Sequence, residues 1–122
     1  DLGGVIKSMA PLEHDQIFST VSHIPHLIAY NMVNLIAGKS NRDTLLEFAA
    51  SGFKDFSRIA GSSPEVWKDI SLANKTAILN DLDLFVKEIN KTASLIKNED
   101  YIALEKYFEV ASKIRKNWSE KN

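Results

Sequence analysis

The sequence predicts an all-α fold, a helical bundle with long amphipathic helices, and three observations carry that expectation. Apolar residues recur at three- and four-residue steps over most of the chain. No run alternates apolar and polar residues as a half-buried strand would. Glycine, proline and serine stand where helices need to begin and end. At 122 residues and 44% hydrophobic composition, residues 1–122 are expected to form one domain around a single core.

After a short lead-in containing Gly3 and Gly4, the first long helix is expected from about Pro11 to Ala37, with Gly38 placed to end it. Pro25 interrupts that pattern. It withholds one N–H and presses its ring toward the carbonyl of Val21, a cost of roughly 3 kcal/mol that something must offset. On one continuous helix, turning about 100° per residue, Asp15, Ser19, Ser22, His23 and His26 form a polar stripe. Ile17, Val21, Ile24, Ile28 and Leu35 lie largely opposite. A second helical region spans about Arg42–Ala60, with Gly52 expected to break or bend it. Ser62-Ser63-Pro64-Glu65 reads as a helix start: either serine can cap, Pro64 needs no donor in a first turn, and Ser62 with Glu65 has capping-box spacing. Ile78, Leu82, Phe85, Val86, Ile89, Ala93 and Ile96 mark a long helix over about Leu72–Lys97. Asn98-Glu99-Asp100 turns the chain, and Tyr101, Leu104, Phe108, Ala111 and Trp118 stripe a last helix over about Tyr101–Ser119. Two long amphipathic helices joined by so short a turn should pack antiparallel.

With 15 basic and 16 acidic residues the net charge is −1, which offers no field for nucleic acid or an anionic membrane. There is no cysteine, so disulfides and thiolate chemistry are excluded and a cytoplasmic location is the default expectation. No apolar run approaches the roughly 20 residues that span a bilayer. The first residue is Asp1 rather than Met, which suggests a fragment or a processed product.

All three histidines fall within thirteen residues, His14, His23 and His26, so chemistry is expected there. His23 and His26 sit about 60° apart on a helix and can approach one ligand, as donors or acceptors according to protonation. His14, Asp15, His23 and His26 are also competent metal ligands, but helical zinc pairs usually use i, i+4 spacing, and the expectation is no metal. His14 is expected as a cap or a supporting group. Arg58 follows Asp55 at i, i+3, a spacing that by itself indicates an ordinary surface ion pair.

Taken together, Met9 to Asp15 (Met-x-Pro-x-x-His-Asp), Ser22 to His26 (Ser-His-x-Pro-His), Gly52 to Ala60 (Gly-Phe-x-Asp-x-x-Arg-Ile-Ala), Trp67 to Ile70 and Asn74 run in an order and spacing found elsewhere. The chain resembles, over its full length, the C-terminal helical dimerisation domain of prephenate dehydrogenase and its close relative arogenate dehydrogenase. The resemblance implies oxidative decarboxylation of prephenate to 4-hydroxyphenylpyruvate, or of arogenate to tyrosine, with hydride passing to NAD or NADP. It implies a homodimer whose helices interlock, so that some stripe residues are buried by a second copy, and possible inhibition by tyrosine. Arg58 matches the arginine that grips the substrate carboxylate, where a guanidinium fork fits bidentately. His26 would contact substrate or tyrosine, His23 and Ser22 would shape that pocket, Asp55 would reach toward the neighbouring subunit's site, and Trp67 would stand near the cleft.

The resembling family carries its phosphate-binding turn and a further histidine on a preceding nucleotide-binding domain. The five glycines here, at 3, 4, 38, 52 and 61, make no Gly-x-Gly-x-x-Gly turn between strand and helix, so no cofactor-binding residue is expected in this chain. It should supply substrate contacts and dimerisation but be inactive alone. The competing readings are a non-enzymatic helical interaction module and a helical metal or cofactor carrier.

Overall fold

The computed structural model describes residues 9–121, with side chains through Ser119. Gly3 and Gly4 lie outside the described residues. Within them every regular element is helical and no strand occurs. The elements are α1 (Pro11–Phe18), a π turn (Ser19–His23), α2 (Ile24–Ala37), α3 (Arg42–Phe48), α4 (Ser51–Ser57), a 3₁₀ turn (Arg58–Gly61), α5 (Pro64–Ala73), α6 (Lys75–Lys97) and α7 (Tyr101–Lys121). The chain divides into two compact units at Leu82/Asp83, and α6 contributes to both.

In the first unit, the helix expected over 11–37 is not continuous. The N–H of Ile24 donates to the carbonyl of Ser19, five residues back, so the winding loosens to a π turn just ahead of Pro25. Pro25 then falls in the first turn of α2, where a missing N–H costs little. This is how the chain offsets its proline. The polar stripe does not share one environment: Asp15 is exposed, Ser19 is fully buried, and Ser22, His23 and His26 are half-buried. On the expected apolar side, Ile24 is buried, but Val21 and Leu35 are 65% and 57% exposed, because no described element covers them.

The region expected as one helix over 42–60 is three short pieces. The break falls at Ala49 and Ala50, which take extended angles (φ −64°, ψ 128° and φ −103°, ψ −171°), not at Gly52, which lies inside α4. Alanine has no intrinsic reason to leave a helix. Packing decides, because α3, α4 and the 3₁₀ turn each lie against α2, which one straight rod could not do. Gly38 ends α2 as expected, yet with φ −81°, and a Cβ there would meet only ordinary contacts at 3.6 and 3.7 Å. Its conformational freedom is not used.

Ser63, not Ser62, caps α5, its Oγ accepting from the N–H of Val66 at 3.3 Å, with Pro64 at the first helical position. The Ser62–Glu65 capping box does not form. Ser62 is engaged elsewhere: its Oγ donates to the Ile59 carbonyl at 2.7 Å, and its own carbonyl accepts from the Tyr30 hydroxyl of α2 at 2.9 Å. The helix expected from Leu72 starts instead at Lys75, because Asn74 leaves helical geometry (φ −113°, ψ 36°) between α5 and α6.

In the second unit, α6 ends in a Schellman motif. Glu99 takes φ 52°, with its N–H on the Ile96 carbonyl at 3.0 Å and the Asp100 N–H on the Leu95 carbonyl at 3.1 Å. Asp100 then caps α7 through the N–H of Ala103 at 3.2 Å. The turn expected at 98–100 is therefore both a stop and a start. The helices pair across it: the Tyr107 hydroxyl donates to Glu88, and the Lys91 ammonium lies 5.9 Å from the Tyr107 ring centre. That hydrogen bond to a carboxylate holds the Tyr107 phenol above its ordinary 10.0, partly offset by Thr92.

Among the described residues only Ile24, Ala29 and Ile78 are buried apolar side chains. The apolar stripes are only partly covered: Ile78 is buried and Leu82, Phe85 and Leu104 are half-buried, but Val86, Ile89 and Ile96 are 53%, 51% and 57% exposed on α6, and Tyr101, Phe108 and Trp118 are 71%, 53% and 58% exposed on α7. No helix is long and apolar enough to cross a membrane among the described residues.

Candidate functional site

The π turn and the start of α2 place His23 and His26 one helical turn apart, and α5 brings Trp67 against both. The His26 imidazole stacks on the Trp67 indole with centroids 3.9 Å apart and planes 16° from parallel. His23 meets the same indole edge-on, at 5.9 Å and 78°. Trp67 is thus the floor under an imidazole pair. Ser22 belongs to the assembly through its backbone, its carbonyl lying 3.0 Å from Nδ1 of His26.

Asn74 is the residue on which the elements converge. Its Nδ2 donates to the Asp15 carbonyl of α1 at 2.8 Å and lies 3.2 Å from Nδ1 of His23. Its backbone accepts from Ile78 N–H at 3.0 Å and so starts α6. One side chain therefore ties α1, the π turn and the α5–α6 junction together. Burial pushes the His23 imidazole below its ordinary 6.5, His26 and His14 act in the same direction, and Asp15 opposes them.

His14 stands apart. Its Nδ1 is 3.5 Å from Asp15 Oδ1 at an exposed position, and its ring packs on Phe18 with centroids 4.5 Å apart. The N-cap of α1 is Ala10, with no side-chain cap. Arg58 begins the 3₁₀ turn that packs on α2; it is exposed and makes no ion pair with Asp55 or any other carboxylate among the described residues. The ordinary i, i+3 pair is not formed, and the guanidinium remains available to an anion. Asp55 is exposed as well.

Sequence reasoning missed Asp81. Its Oδ2 accepts from the buried Ser19 hydroxyl and from the Thr20 hydroxyl, each at 2.8 Å, so one carboxylate of α6 clamps the π turn. The legible signal was an acid three residues after Ile78, on the same face as the single buried residue of that helix. A groove of about 590 Å³ beside the clamp is lined by Leu12, Asp15, Leu72, Asn74 and Asp81 among others, and includes neither imidazole nor Arg58. Among the described residues no three of His, Asp and Glu converge as a metal-ligand set.

The family described as "prephenate dehydrogenase, dimerization domain" matches residues 10–110. The chain is 42% identical over 108 residues to the prephenate dehydrogenase of Bacillus subtilis, covering 88% of this chain and 29% of that protein. It is 34% identical over 117 residues to the cyclohexadienyl dehydrogenase of Zymomonas mobilis, covering 94% and 40% respectively. Among solved structures, the prephenate dehydrogenase of A. aeolicus in complex with hydroxyphenyl propionate and NAD+ superposes with a TM-score of 0.86 at 36% identity, covering 91% of this chain and 39% of that one. The chain therefore spans well under half the length of these relatives. With the helical architecture and a match over most of its length, it belongs to the prephenate dehydrogenase dimerization-domain family.

Proposed function

We propose that this chain is the substrate-binding and dimerisation part of an NAD- or NADP-dependent prephenate dehydrogenase of tyrosine biosynthesis, a cytoplasmic enzyme that converts prephenate to 4-hydroxyphenylpyruvate by oxidative decarboxylation. The observation that carries this reading is the pairing of His23 and His26 over Trp67, with an unpaired Arg58 on a turn packed against the same helix, α2. A dianionic hydroxy acid needs a cation for a carboxylate and neutral hydrogen-bonding groups for the remainder. Arg58 supplies the first, and His23, His26 and the indole floor supply the second. In this reading Ser22 holds His26, Asp55 reaches toward the neighbouring subunit's site, and Asp15 and His14 support the pair from α1.

The described residues do not fit a dinucleotide, since without a strand there is no strand-to-helix glycine turn to hold a pyrophosphate. The A. aeolicus protein, crystallised with NAD+, is matched over 39% of its length, and this reading assigns cofactor binding to the part of such an enzyme that the match does not cover. Arogenate is the alternative substrate, favoured by the cyclohexadienyl dehydrogenase relative, and tyrosine, a product-like hydroxyphenyl acid, is the proposed inhibitor of the same pocket.

The open parts of the apolar stripes of α6 and α7 support a homodimer, because side chains such as Tyr101, Phe108 and Trp118, 71%, 53% and 58% exposed, cost free energy in water. An interlocked obligate interface would bury on the order of 2,000 Å² or more. The deciding experiment is turnover by the full-length natural protein with prephenate and with arogenate, each with NAD and NADP, following nicotinamide reduction and carbon dioxide release together. Turnover of one hydroxy acid with both signals is expected; no turnover of either would overturn the assignment.

A further inference from the structure

We propose that Asn74 is a positioning residue that fixes His23 in the Nε2–H tautomer, opposite to His26, so that the imidazole pair meets its ligand with one donor and one acceptor nitrogen. The inference rests on the reading of this pair as the substrate pocket, and it deepens that reading by saying which hydrogen bonds the pair can make.

The geometry leaves one consistent assignment of protons. A backbone carbonyl can only accept, so the Asn74 atom 2.8 Å from the Asp15 carbonyl is the amide nitrogen. An amide NH₂ can only donate. Its second hydrogen therefore goes to Nδ1 of His23, 3.2 Å away, and that ring nitrogen must be bare. Neutral His23 consequently carries its proton on Nε2. His26 is set the other way: its Nδ1 lies 3.0 Å from the Ser22 carbonyl, which again can only accept, so Nδ1 carries the proton and Nε2 of the neutral ring is bare. Two imidazoles packed on one indole thus hold opposite polarity at Nε2.

This matters for recognition. A donor and an acceptor suit a ligand that itself offers both, such as a hydroxy acid, whose carboxylate or hydroxyl oxygen accepts from His23 and whose hydroxyl hydrogen goes to His26. Two rings with the same tautomer would leave one nitrogen facing an unlike partner. Asn74 is held for the task at both ends, its backbone placed by the α5–α6 junction and its amide by Asp15, so it cannot turn its oxygen toward His23 without putting that oxygen against a carbonyl.

The test is done on the full-length natural protein labelled with nitrogen-15 histidine, without substrate, above pH 7. Two-bond nitrogen–proton correlation spectra separate a bare from a protonated ring nitrogen, and His23→Gln and His26→Gln assign the signals. The wild type should show a bare Nδ1 on His23 and a bare Nε2 on His26. In Asn74→Asp the facing carboxylate accepts rather than donates, so the His23 tautomer should invert; in Asn74→Ala it should become mixed. The KM for the hydroxy acid that the wild type turns over should rise about tenfold in Asn74→Asp, as for loss of one directed hydrogen bond, with kcat changed less than about threefold. A wild-type His23 with its proton on Nδ1 overturns the proposal even if neither variant folds. So does a tautomer indifferent to both substitutions, or an inverted tautomer with an unchanged KM. Absence of wild-type turnover fails the parent reading and is seen in a separate measurement.

Discussion

Removing the Asp81 carboxylate should destabilise the protein by about 2–3 kcal/mol. The Ser19 hydroxyl is fully buried, with Asp81 Oδ2 at 2.8 Å, so in Asp81→Ala it loses a charge-assisted hydrogen bond of roughly 1.5–3 kcal/mol. Thr20 adds little. It is exposed, and its hydroxyl already has the Gln16 carbonyl at 3.2 Å as a second acceptor, so about 0.5 kcal/mol is expected from that side. For a chain of this size about 3–5 °C of Tm accompanies each kcal/mol, which places the shift at about 6–15 °C. Asp81→Asn keeps an acceptor oxygen and should lose only about 1 kcal/mol. The assay is thermal unfolding followed by far-ultraviolet circular dichroism at one fixed protein concentration, since assembly itself moves Tm. Ser19→Ala, combined with Asp81→Ala, should recover about 1–2 kcal/mol relative to additivity. If Asp81→Ala unfolds within about 0.5 kcal/mol of the wild type, the carboxylate does not hold the π turn and the reasoning fails.

On the proposed function, Arg58→Ala in the full-length natural protein should raise the Michaelis constant for the hydroxy acid a few hundredfold, about 3–4 kcal/mol for a lost bidentate guanidinium, with cofactor affinity almost unchanged and only partial recovery in Arg58→Lys; an unaltered Michaelis constant would remove Arg58 as the anchor. Because burial depresses the His23 pKa in the folded state, the unfolded chain binds more protons just below pH 6.5, so its contribution to stability is full above that pH and declines as pH falls through the folded value. Tm should follow that trend, and His23→Gln should lack the component that begins at 6.5; an identical pH profile would contradict it. Sedimentation of the chain should show a dimer at micromolar concentration, and a stable folded monomer would contradict the reading of the open stripes.

The all-helical class, the stop after Ala37, the start at Pro64 and the turn at 98–100 were legible because each depends on local chemistry: a periodicity, a proline, a run of polar residues. The π turn was half legible. Pro25 announces a cost, but the compensation involves Asp81, sixty-two residues from Ser19, and separations of that kind leave no local trace. The two-alanine break between α3 and α4 was invisible, since alanine gives no signal and packing on α2 makes the decision. At the site, the clustering of His23 and His26 could be read from spacing. Trp67 and Asn74 could be named by resemblance, but the stacked indole and the doubly donating amide are facts of three dimensions.

One consequence of the π turn concerns the arithmetic of the chain. The stretch Ser19–His23 accommodates a residue more than an evenly wound helix would, and each residue of such a helix is worth about 100° of azimuth. Val21, 65% exposed, can therefore accept many side chains, whereas its deletion would let the segment wind evenly with α1 still in register and so set the Pro25 ring against the carbonyl four residues before it, at a cost of roughly 3 kcal/mol. Composition, charge and hydropathy would barely change. In this segment the number of residues, more than their identity, lets a proline sit inside a helical run.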